Sequence, residues 1–505
     1  MKETAILLMV ASIISKIIGF LREIVLAYFY GASYVSDAYL IAITIPGTIF
    51  AFIGAGLATG YIPLYSRIEK EKGLNVANKF TSNVINFVMI LCTVIALIGL
   101  FFTAPIVKMF AAGFEGETLN IAVLITRFSI VGVYFTALVY IFTAYLNLKN
   151  SFLIPALVAI PMNIVVIASY AISSKTGVWV LGIGTFLSMA IQMVFLAPFI
   201  KKTGYRHKLV LETKDEDFRK MIKLAIPVII GISVNQINTL VDRTIASLIS
   251  EGAISSLNYA VKLNGFVQGI FVMSIVTAMY PLISRMGAEN NIKGLKDSLK
   301  ESIVSVSLLV IPVTVGAMIF STPIVRLLFE RGAFNEESTL MTSGALFFYS
   351  IGMIGYGLRE VISKAFYSLQ DTKTPMINAA IAVLINIVLC IILSRFMGLN
   401  GLALSTSIAG ILCTITLFIS LRKKIGSISL KSILISIGKI SIASAAMGIL
   451  AKVTFNILYN FVGETLSLVC GILVGMFVYF VFVYLMKIDE FKSILDMFKN
   501  KIKRK

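Results

Sequence analysis

One passage of roughly 200 residues occurs twice in this chain, and it is apolar almost throughout. In the first copy Arg22 is followed by Gly31-Ala32 and by Tyr61-Ile62-Pro63-Leu64-Tyr65-Ser66-Arg67. In the second, Arg243 is followed by Gly252-Ala253 and by Met279-Tyr280-Pro281-Leu282-Ile283-Ser284-Arg285. The register continues through Thr103-Ala104-Pro105-Ile106-Val107-Lys108 against Ser321-Thr322-Pro323-Ile324-Val325-Arg326, and through Asn163-Ile164-Val165 against Asn386-Ile387-Val388. A chain that repeats so large an apolar unit builds two like halves, and membrane proteins of that plan generally act at the seam between them. The repeat therefore points to a transporter.

Lipid is the expected solvent for both halves. Hydrophobic residues make up 58% of the chain and charged residues 14%, against about half and a quarter in an ordinary soluble domain. A helix needs about 20 apolar residues to cross the hydrocarbon. Fourteen such runs can be counted, near 4–28, 37–63, 81–110, 119–147, 152–173, 178–200, 218–249, 254–284, 299–321, 337–368, 375–395, 399–421, 431–458 and 463–486. Their length and lack of two-residue alternation exclude a β-barrel.

Basic residues set the expected orientation. The connections after runs two, six, eight and twelve carry Arg67-Lys70-Lys72-Lys79, Lys201-Lys202-Arg206-Lys208, Arg285-Lys293-Lys296-Lys300 and Arg422-Lys423-Lys424-Lys431, whereas 29–36 and 250–253 carry none. An excess of Lys and Arg marks the cytoplasmic side, so both termini are expected inside. The net charge of +19 is then mainly a topology signal, and no exposed basic domain offers itself to nucleic acid. Six spans per copy is an even number, so the copies run parallel, related by an axis along the membrane normal.

The expected fold is thus an all-α integral membrane protein of about 14 transmembrane helices. Residues 1–200 form a six-helix bundle, 201–217 a basic cytoplasmic linker, and 218–424 a second bundle repeating the first. Residues 425–486 add two helices without counterpart, and 487–505 form a basic tail. In that tail Ile488, Phe491, Leu495, Phe498 and Ile502 recur at helical spacing, which suits a helix lying on the membrane surface as well as a tail that only reinforces topology. The first run carries Lys16 and Arg22 and no small-residue cleavage site, so it reads as a retained span, not a signal peptide. Cys92, Cys390, Cys413 and Cys470 all fall inside apolar runs without metal-type spacing; they read as small core residues with no disulfide. His207, the single histidine, sits in a basic loop where catalysis is not expected.

Charges inside the spans carry the functional signal. A charge near the centre of a lone helix costs on the order of 3 kcal/mol, and such residues usually face a cavity. Here they are Lys16, Arg22 and Glu23 in the first span, Asp37 opening the second, Arg127 in the fourth, Asp242 and Arg243 in the seventh, Lys262 in the eighth, and Arg359, Glu360 and Lys364 in the tenth. Cations outnumber anions, so a cavity lined by these spans is basic and suits an anionic substrate. Plainer roles stand beside this one. Arg22 could pair with Asp37 to hold two spans together, Asp37 could cap its own helix, and Lys364 could snorkel to the interface. Arg22 and Glu23 lie 100° apart around the helix and are expected to face different ways. Lys262 has no acidic residue within four positions.

At these residues the chain resembles the MurJ (MviN) family, the lipid II flippases of bacterial wall synthesis, within a wider superfamily of flippases and multidrug exporters. The resemblance rests on Ser15-Lys16-Ile17-Ile18-Gly19-Phe20-Leu21-Arg22-Glu23, Phe29-Tyr30-Gly31-Ala32, Ser36-Asp37-Ala38-Tyr39, Asn258-Tyr259-Ala260-Val261-Lys262-Leu263, Arg331-Gly332-Ala333-Phe334 and Ala365-Phe366-Tyr367-Ser368-Leu369-Gln370-Asp371-Thr372-Lys373-Thr374-Pro375. It covers essentially the whole chain and implies a cytoplasmic-membrane protein that carries lipid II, an undecaprenyl-diphosphate-linked disaccharide pentapeptide, to the outer leaflet. It implies a substrate cavity holding Lys16, Arg22 and Lys262 with Asp37 as acidic partner. Lysine offers charge to a diphosphate but lacks the bidentate fork of arginine. After Pro46, where many relatives carry two arginines, this chain reads Gly47-Thr48-Ile49-Phe50-Ala51; Arg359 is the candidate to compensate. Some members are thought to hold sodium, and the matching positions here are Asp242, Asn386 and Thr406, with Cys390 where a carboxylate is expected.

The expected mechanism is alternating access of the two bundles, with the isoprenoid tail kept in lipid beside the last two spans, without a cofactor or catalytic residue, driven by sodium, protons or the membrane potential. The chain is expected to work as a monomer, with wall-synthesis proteins as candidate partners. Gly54, Gly56 and Gly60 in the second span, and Gly265 and Gly269 in the eighth, suit bending or close packing. The alternatives are a flippase for another undecaprenyl-linked oligosaccharide, a multidrug exporter of the same superfamily, a membrane glycosyltransferase, or a non-transporting scaffold.

Overall fold

A computed structural model describes the backbone of residues 2–488 and of Phe491, with side chains from Leu7 onward. The expected surface helix at 487–505 lies outside the described residues apart from Lys487, Ile488 and Phe491. The described chain is helical with short turns, apart from a longer connection over 203–215. Its first part comprises α1 (Lys2–Tyr30), α2 (Tyr34–Gly56), a π-helical turn (Leu57–Tyr61), α3 (Ile62–Lys72), α4 (Leu74–Phe101), α5 (Thr103–Phe110), α6 (Gly116–Val131), α7 (Val133–Leu148), α8 (Leu153–Leu157), α9 (Ala159–Thr176), α10 (Trp179–Lys202) and α11 (Glu216–Ile249). There follow α12 (Ala253–Val267), a second π-helical turn (Gln268–Val272), α13 (Met273–Ala288), α14 (Ile292–Ile319), α15 (Ser321–Phe329), α16 (Glu336–Ile351), α17 (Met353–Ser368), α18 (Lys373–Met397), α19 (Leu399–Ile425) and α20 (Leu430–Leu485).

Ten helices among the described residues are long and apolar enough to cross a membrane, and twelve when two bent pairs each count as one span. The bent pairs are α6 with α7, at 45°, and α16 with α17, at 42°. They break at Gly132 and Gly352, matching positions of the two copies, so the bend belongs to the repeated unit. The fourteen expected crossings exceed this number. α20 runs 56 residues, far beyond one crossing, and is interrupted at Gly463, whose φ of 78° is not helical.

Two compact units result, Met1–Ser255 with Arg331–Asn335, and Ser256–Glu330 with Glu336–Lys505. Packing thus divides the chain later than the repeat does. α11, the first helix of the second copy, belongs to the first unit because Gly56 and Gly60 let it approach α2: a Cβ on Gly56 would stand 3.1 Å from Ala225 Cβ, and one on Gly60 would stand 2.9 Å from the Met221 carbonyl oxygen. Close helix packing therefore accounts for these two glycines, whereas a Cβ on Gly265 would meet nothing within 4 Å. Residues 331–335 join the first unit because the Ala333 N–H donates to the Tyr28 carbonyl at 2.8 Å, at the end of α1. The corresponding loop of the first copy does the same to α11, with the Gly113 N–H donating to Ser247 Oγ at 3.0 Å.

Each unit has its own core. Tyr61, Tyr65, Ile141, Tyr145 and Leu196 are buried in the first, and Leu299, Val306, Val361, Phe366 and Leu417 in the second. Large apolar residues such as Val194, Leu384 and Phe477 point outward, as lipid permits. Hydroxyls bridge neighbouring helices, Ser129 to the Ala42 carbonyl at 2.9 Å and Thr414 to the Gly355 carbonyl at 2.6 Å. Such bonds hold helices together where no hydrophobic force between them exists. Cys92, Cys390 and Cys413 are buried and unbridged, and Cys470 is half-buried.

Candidate substrate site

In the first unit α1, α2, α7, α9 and α10 enclose a cavity of about 360 Å³. Its walls follow helical spacing: Tyr39 and Ile43 on α2, Thr136, Tyr140 and Thr143 on α7, Met162 and Val166 on α9, and Thr185, Ser188 and Gln192 on α10. Arg22 of α1 is the one charged residue among those lining it. Its Nη2 donates to Glu23 Oε1 at 2.7 Å, and the Glu23 side chain is 3% exposed. This corrects the expectation that adjacent positions keep these two apart. The 100° step separates the Cβ atoms, but a guanidinium on three methylenes reaches back to the carboxylate beside it. A buried charge left alone is far costlier than a pair, so the pairing wins.

Asp37 does not pair with Arg22. Its carboxylate accepts from the Gly252 N–H at 2.9 Å and from the Ser255 N–H at 2.7 Å, capping the start of α12. It also lies in the first turn of α2, where Ser36 Oγ accepts from the Ser33 N–H at 2.9 Å. Both placements set an anion against the positive end of a helix. Gly252 has φ +77°, and a Cβ there would come within 2.5 Å of the Ala32 carbonyl oxygen, so the turn that presents these amides needs glycine. Arg243, the repeat counterpart of Arg22, donates to the Ile254 carbonyl at 3.1 Å in the same turn. Lys16, also in this unit, is exposed, and its neighbour Ser15 donates to the Ala156 carbonyl at 2.9 Å.

Lys262 and Arg359 belong to the second unit. Lys262 is exposed on α12. The Arg359 guanidinium lies over the Tyr356 ring at 5.1 Å and 4.0 Å from Glu360. Lys364 sits over the rings of Tyr280 and Tyr367, at 5.2 and 5.6 Å.

Of the candidate sodium ligands, one belongs to the first unit and two to the second. Asp242, in the first unit, accepts from Asn238 Nδ2 at 3.2 Å. In the second unit Asn386 is buried beside Cys390, whose sulfur stands 2.8 Å from Ser405 Oγ, while the Thr406 hydroxyl donates to the Leu402 carbonyl of its own helix at 3.0 Å. No group of three or more His, Cys, Asp or Glu able to hold a metal occurs among the described residues. Sulfur is a soft ligand, and a hard ion such as sodium prefers oxygen, so the thiol at Cys390 fits that ion poorly.

The second unit also encloses a groove of about 480 Å³ between α14 and both arms of α20, walled by Leu309, Val313, Gly316, Met447, Ile472 and Met476 among other apolar residues. Sequence reasoning marked the last two spans as a surface for a lipid tail but missed the groove itself, because it forms from separate lipid-type faces that look alike in sequence. It also missed the polar wall of the first cavity, although the threonine, serine and glutamine stripes on α7 and α10 were there to read.

The family model described as lipid II flippase MurJ matches residues 26–471. A lipid II flippase MurJ of Thermosipho africanus (strain TCF52B) is 33% identical over 480 residues, covering 95% of each chain. A solved lipid II flippase MurJ in an inward closed conformation has a TM-score of 0.83 at 31% identity, covering 95% of this chain and 98% of that one. A multidrug resistance transporter of the MATE family, in an inward-facing conformation, has a TM-score of 0.69 at 15% identity over 83% of this chain and 98% of its own, a likeness of fold alone. The resemblance seen in the sequence motifs is therefore borne out along most of the chain, and with it a multi-pass place in the cytoplasmic membrane. The chain belongs to the MurJ family of lipid II flippases, which are transporters and not catalysts.

Proposed function

We propose that this protein carries lipid II from the inner to the outer leaflet by alternating access of its two six-span bundles around a cationic cavity. Lys16, Arg22 and Lys262 hold the diphosphate, Arg359 adds charge in place of the arginines absent after Pro46, and Asp37 sets the turn between α11 and α12. The polyprenyl tail lies in the apolar groove beside α20. In this reading α1 and each arm of α20 cross the membrane separately, giving fourteen spans with both termini inside. The observation that carries the proposal is that the chain holds two spaces of opposite chemistry, one in the first unit walled by Arg22 and hydroxyl groups and one in the second walled by apolar residues. A lipid with a charged head and a long hydrocarbon tail has one part suited to each chemistry.

Because the thiol at Cys390 suits sodium poorly, the membrane potential is the driving force we favour. It contributes about 2.3 kcal/mol per charge per 100 mV, so two lipid charges moving outward in a cell negative inside gain several kcal/mol. The test is replacement: a strain depleted of its own flippase, supplied with this chain, should stop accumulating lipid II in the inner leaflet. Accumulation that continues while another polyprenyl-linked glycan is cleared would assign a different substrate.

A further inference from the structure

The two arms of α20 pack together through Ile440, Ala443 and Met447 on one side and Tyr479 and Val483 on the other. Where the chain enters the first arm and leaves the second, they enclose a pocket of about 420 Å³. Six of its residues carry donors: Ser429, Lys431, Ser432, Ser436, Lys439 and Lys487. Ser432, Ser436 and Lys439 recur at i, i+4 and i+7 and share one face of the helix. Lys487 comes from the turn that ends the second arm, with φ +51°. Lys439 Nζ donates to the Met486 carbonyl at 2.9 Å, which ties the two chain segments together and fixes one ammonium at the pocket wall.

The described lining is basic. Among the described residues no carboxylate lines the pocket, and none pairs with Lys431, Lys439 or Lys487. The described lining thus gathers three ammonium groups, while Asp489 and Glu490, which follow Ile488 in the sequence, lie outside the described residues. Ammonium groups brought together repel one another, and a ligand bearing several acceptor oxygens relieves that repulsion. Lysine serves phosphate as a point charge, and serine hydroxyls supply further donors. Ile435 also lines the pocket, and Leu434, Ile435, Tyr484 and Leu485 are exposed on the same stretch of the arms. The donors therefore stand at the edge of a lipid-facing surface, where a phosphate arrives attached to acyl chains.

We propose that this pocket binds the phosphate headgroup of an anionic membrane lipid. The site is separate from the Arg22 cavity and from the groove, and it needs no assumption about flipping. A lipid held there clamps the two arms that wall the groove.

Native mass spectrometry of the full-length protein in detergent, titrated with dioleoylphosphatidylglycerol or dioleoylphosphatidylcholine, tests it. The wild type should hold one phosphatidylglycerol at least ten times more tightly than phosphatidylcholine, and the double variant Lys431→Gln with Lys487→Gln should lose that preference. Should the double variant not fold, Lys431→Gln alone carries the same test, with an expected threefold loss; Lys431 makes no hydrogen bond among the described residues. Equal binding of the two lipids by the wild type, or a preference that survives the substitutions, overturns the proposal. Inorganic phosphate binding as tightly as the anionic lipid would overturn the lipid assignment.

Discussion

In the first unit the helices wall a cavity with Arg22, Thr136, Thr143, Thr185, Ser188 and Gln192; in the second the groove is walled by leucine, valine, phenylalanine and methionine. Both units derive most of their helices from one repeated sequence, and locally the copies still agree. Thr185 donates to the Leu181 carbonyl at 2.8 Å, and its counterpart Thr406 donates to the Leu402 carbonyl at 3.0 Å. What diverged is the lining. Arg22 opens on a cavity, while Arg243 at the matching position holds the Ile254 carbonyl in the turn that Asp37 caps. The groove, moreover, is completed by α20, which has no counterpart in the first copy. One repeat thus supplied a scaffold twice, and separate substitutions gave one copy polar and the other apolar contents.

The sharpest way to break this comparison is to treat the two arginines alike. Replacing Arg22 alone would take an ion-pair partner from the buried Glu23, and breaking a buried pair costs about 3–5 kcal/mol, which confuses folding with transport. The double variant Arg22→Gln with Glu23→Gln avoids that; it should insert normally and lose at least ten-fold in flipping rate in proteoliposomes. Arg243→Ala should act chiefly on thermal stability in detergent, and a result with the two phenotypes exchanged would undo the contrast. Next in size, Asp37→Ala leaves two buried amide donors without an acceptor and should lower stability by about 2–6 kcal/mol, at roughly 1–3 kcal/mol for each such group. Asp37→Asn, which keeps an acceptor, should lose less by the same thermal measurement. In the groove, a Cβ on Gly316 meets nothing within 4 Å, so Gly316→Leu should fold and narrow the space. It should slow flipping of a full-length polyprenyl substrate several-fold and leave a short-chain analogue unchanged.

The smallest expected effect lies outside the membrane. Asp371 accepts from Lys424 Nζ at 2.6 Å and from the Thr374 N–H at 2.9 Å, and these bonds lower its pKa to about 2. A carboxylate depressed in the folded state contributes stability above its ordinary value near 4, and that stability is lost as pH falls from about 4 towards 2. Thermal midpoints should therefore hold steady from neutral pH down to about 5 and then fall more steeply in the wild type than in Asp371→Asn.

Much of this was legible from residue order. The duplicated unit, the long apolar runs and the cations within them follow from spacing alone, and the opening motif from Ser15 to Glu23 pointed to the family. The partners of the charges were not legible. Asp37 bonds amides more than two hundred positions away, and nothing in its neighbourhood in sequence names them. Arg22 and Glu23 were read from the angle between their backbone positions, an argument that ignores how far a guanidinium reaches. The last two spans were read as a surface for a lipid tail, but the groove itself escaped, because a helix face that walls a groove and one that meets bulk lipid carry the same residues.

The central claim is that cations from both units meet one diphosphate. A lipid II analogue with a photoreactive group beside the diphosphate, bound to the full chain and irradiated, tests it directly. The account predicts cross-linked peptides containing Lys16 to Arg22 of α1 and Lys262 of α12, both lost on competition with unlabelled lipid II. Cross-links confined to one unit, or found only on outward faces such as that of Val194 and Leu384, would contradict it.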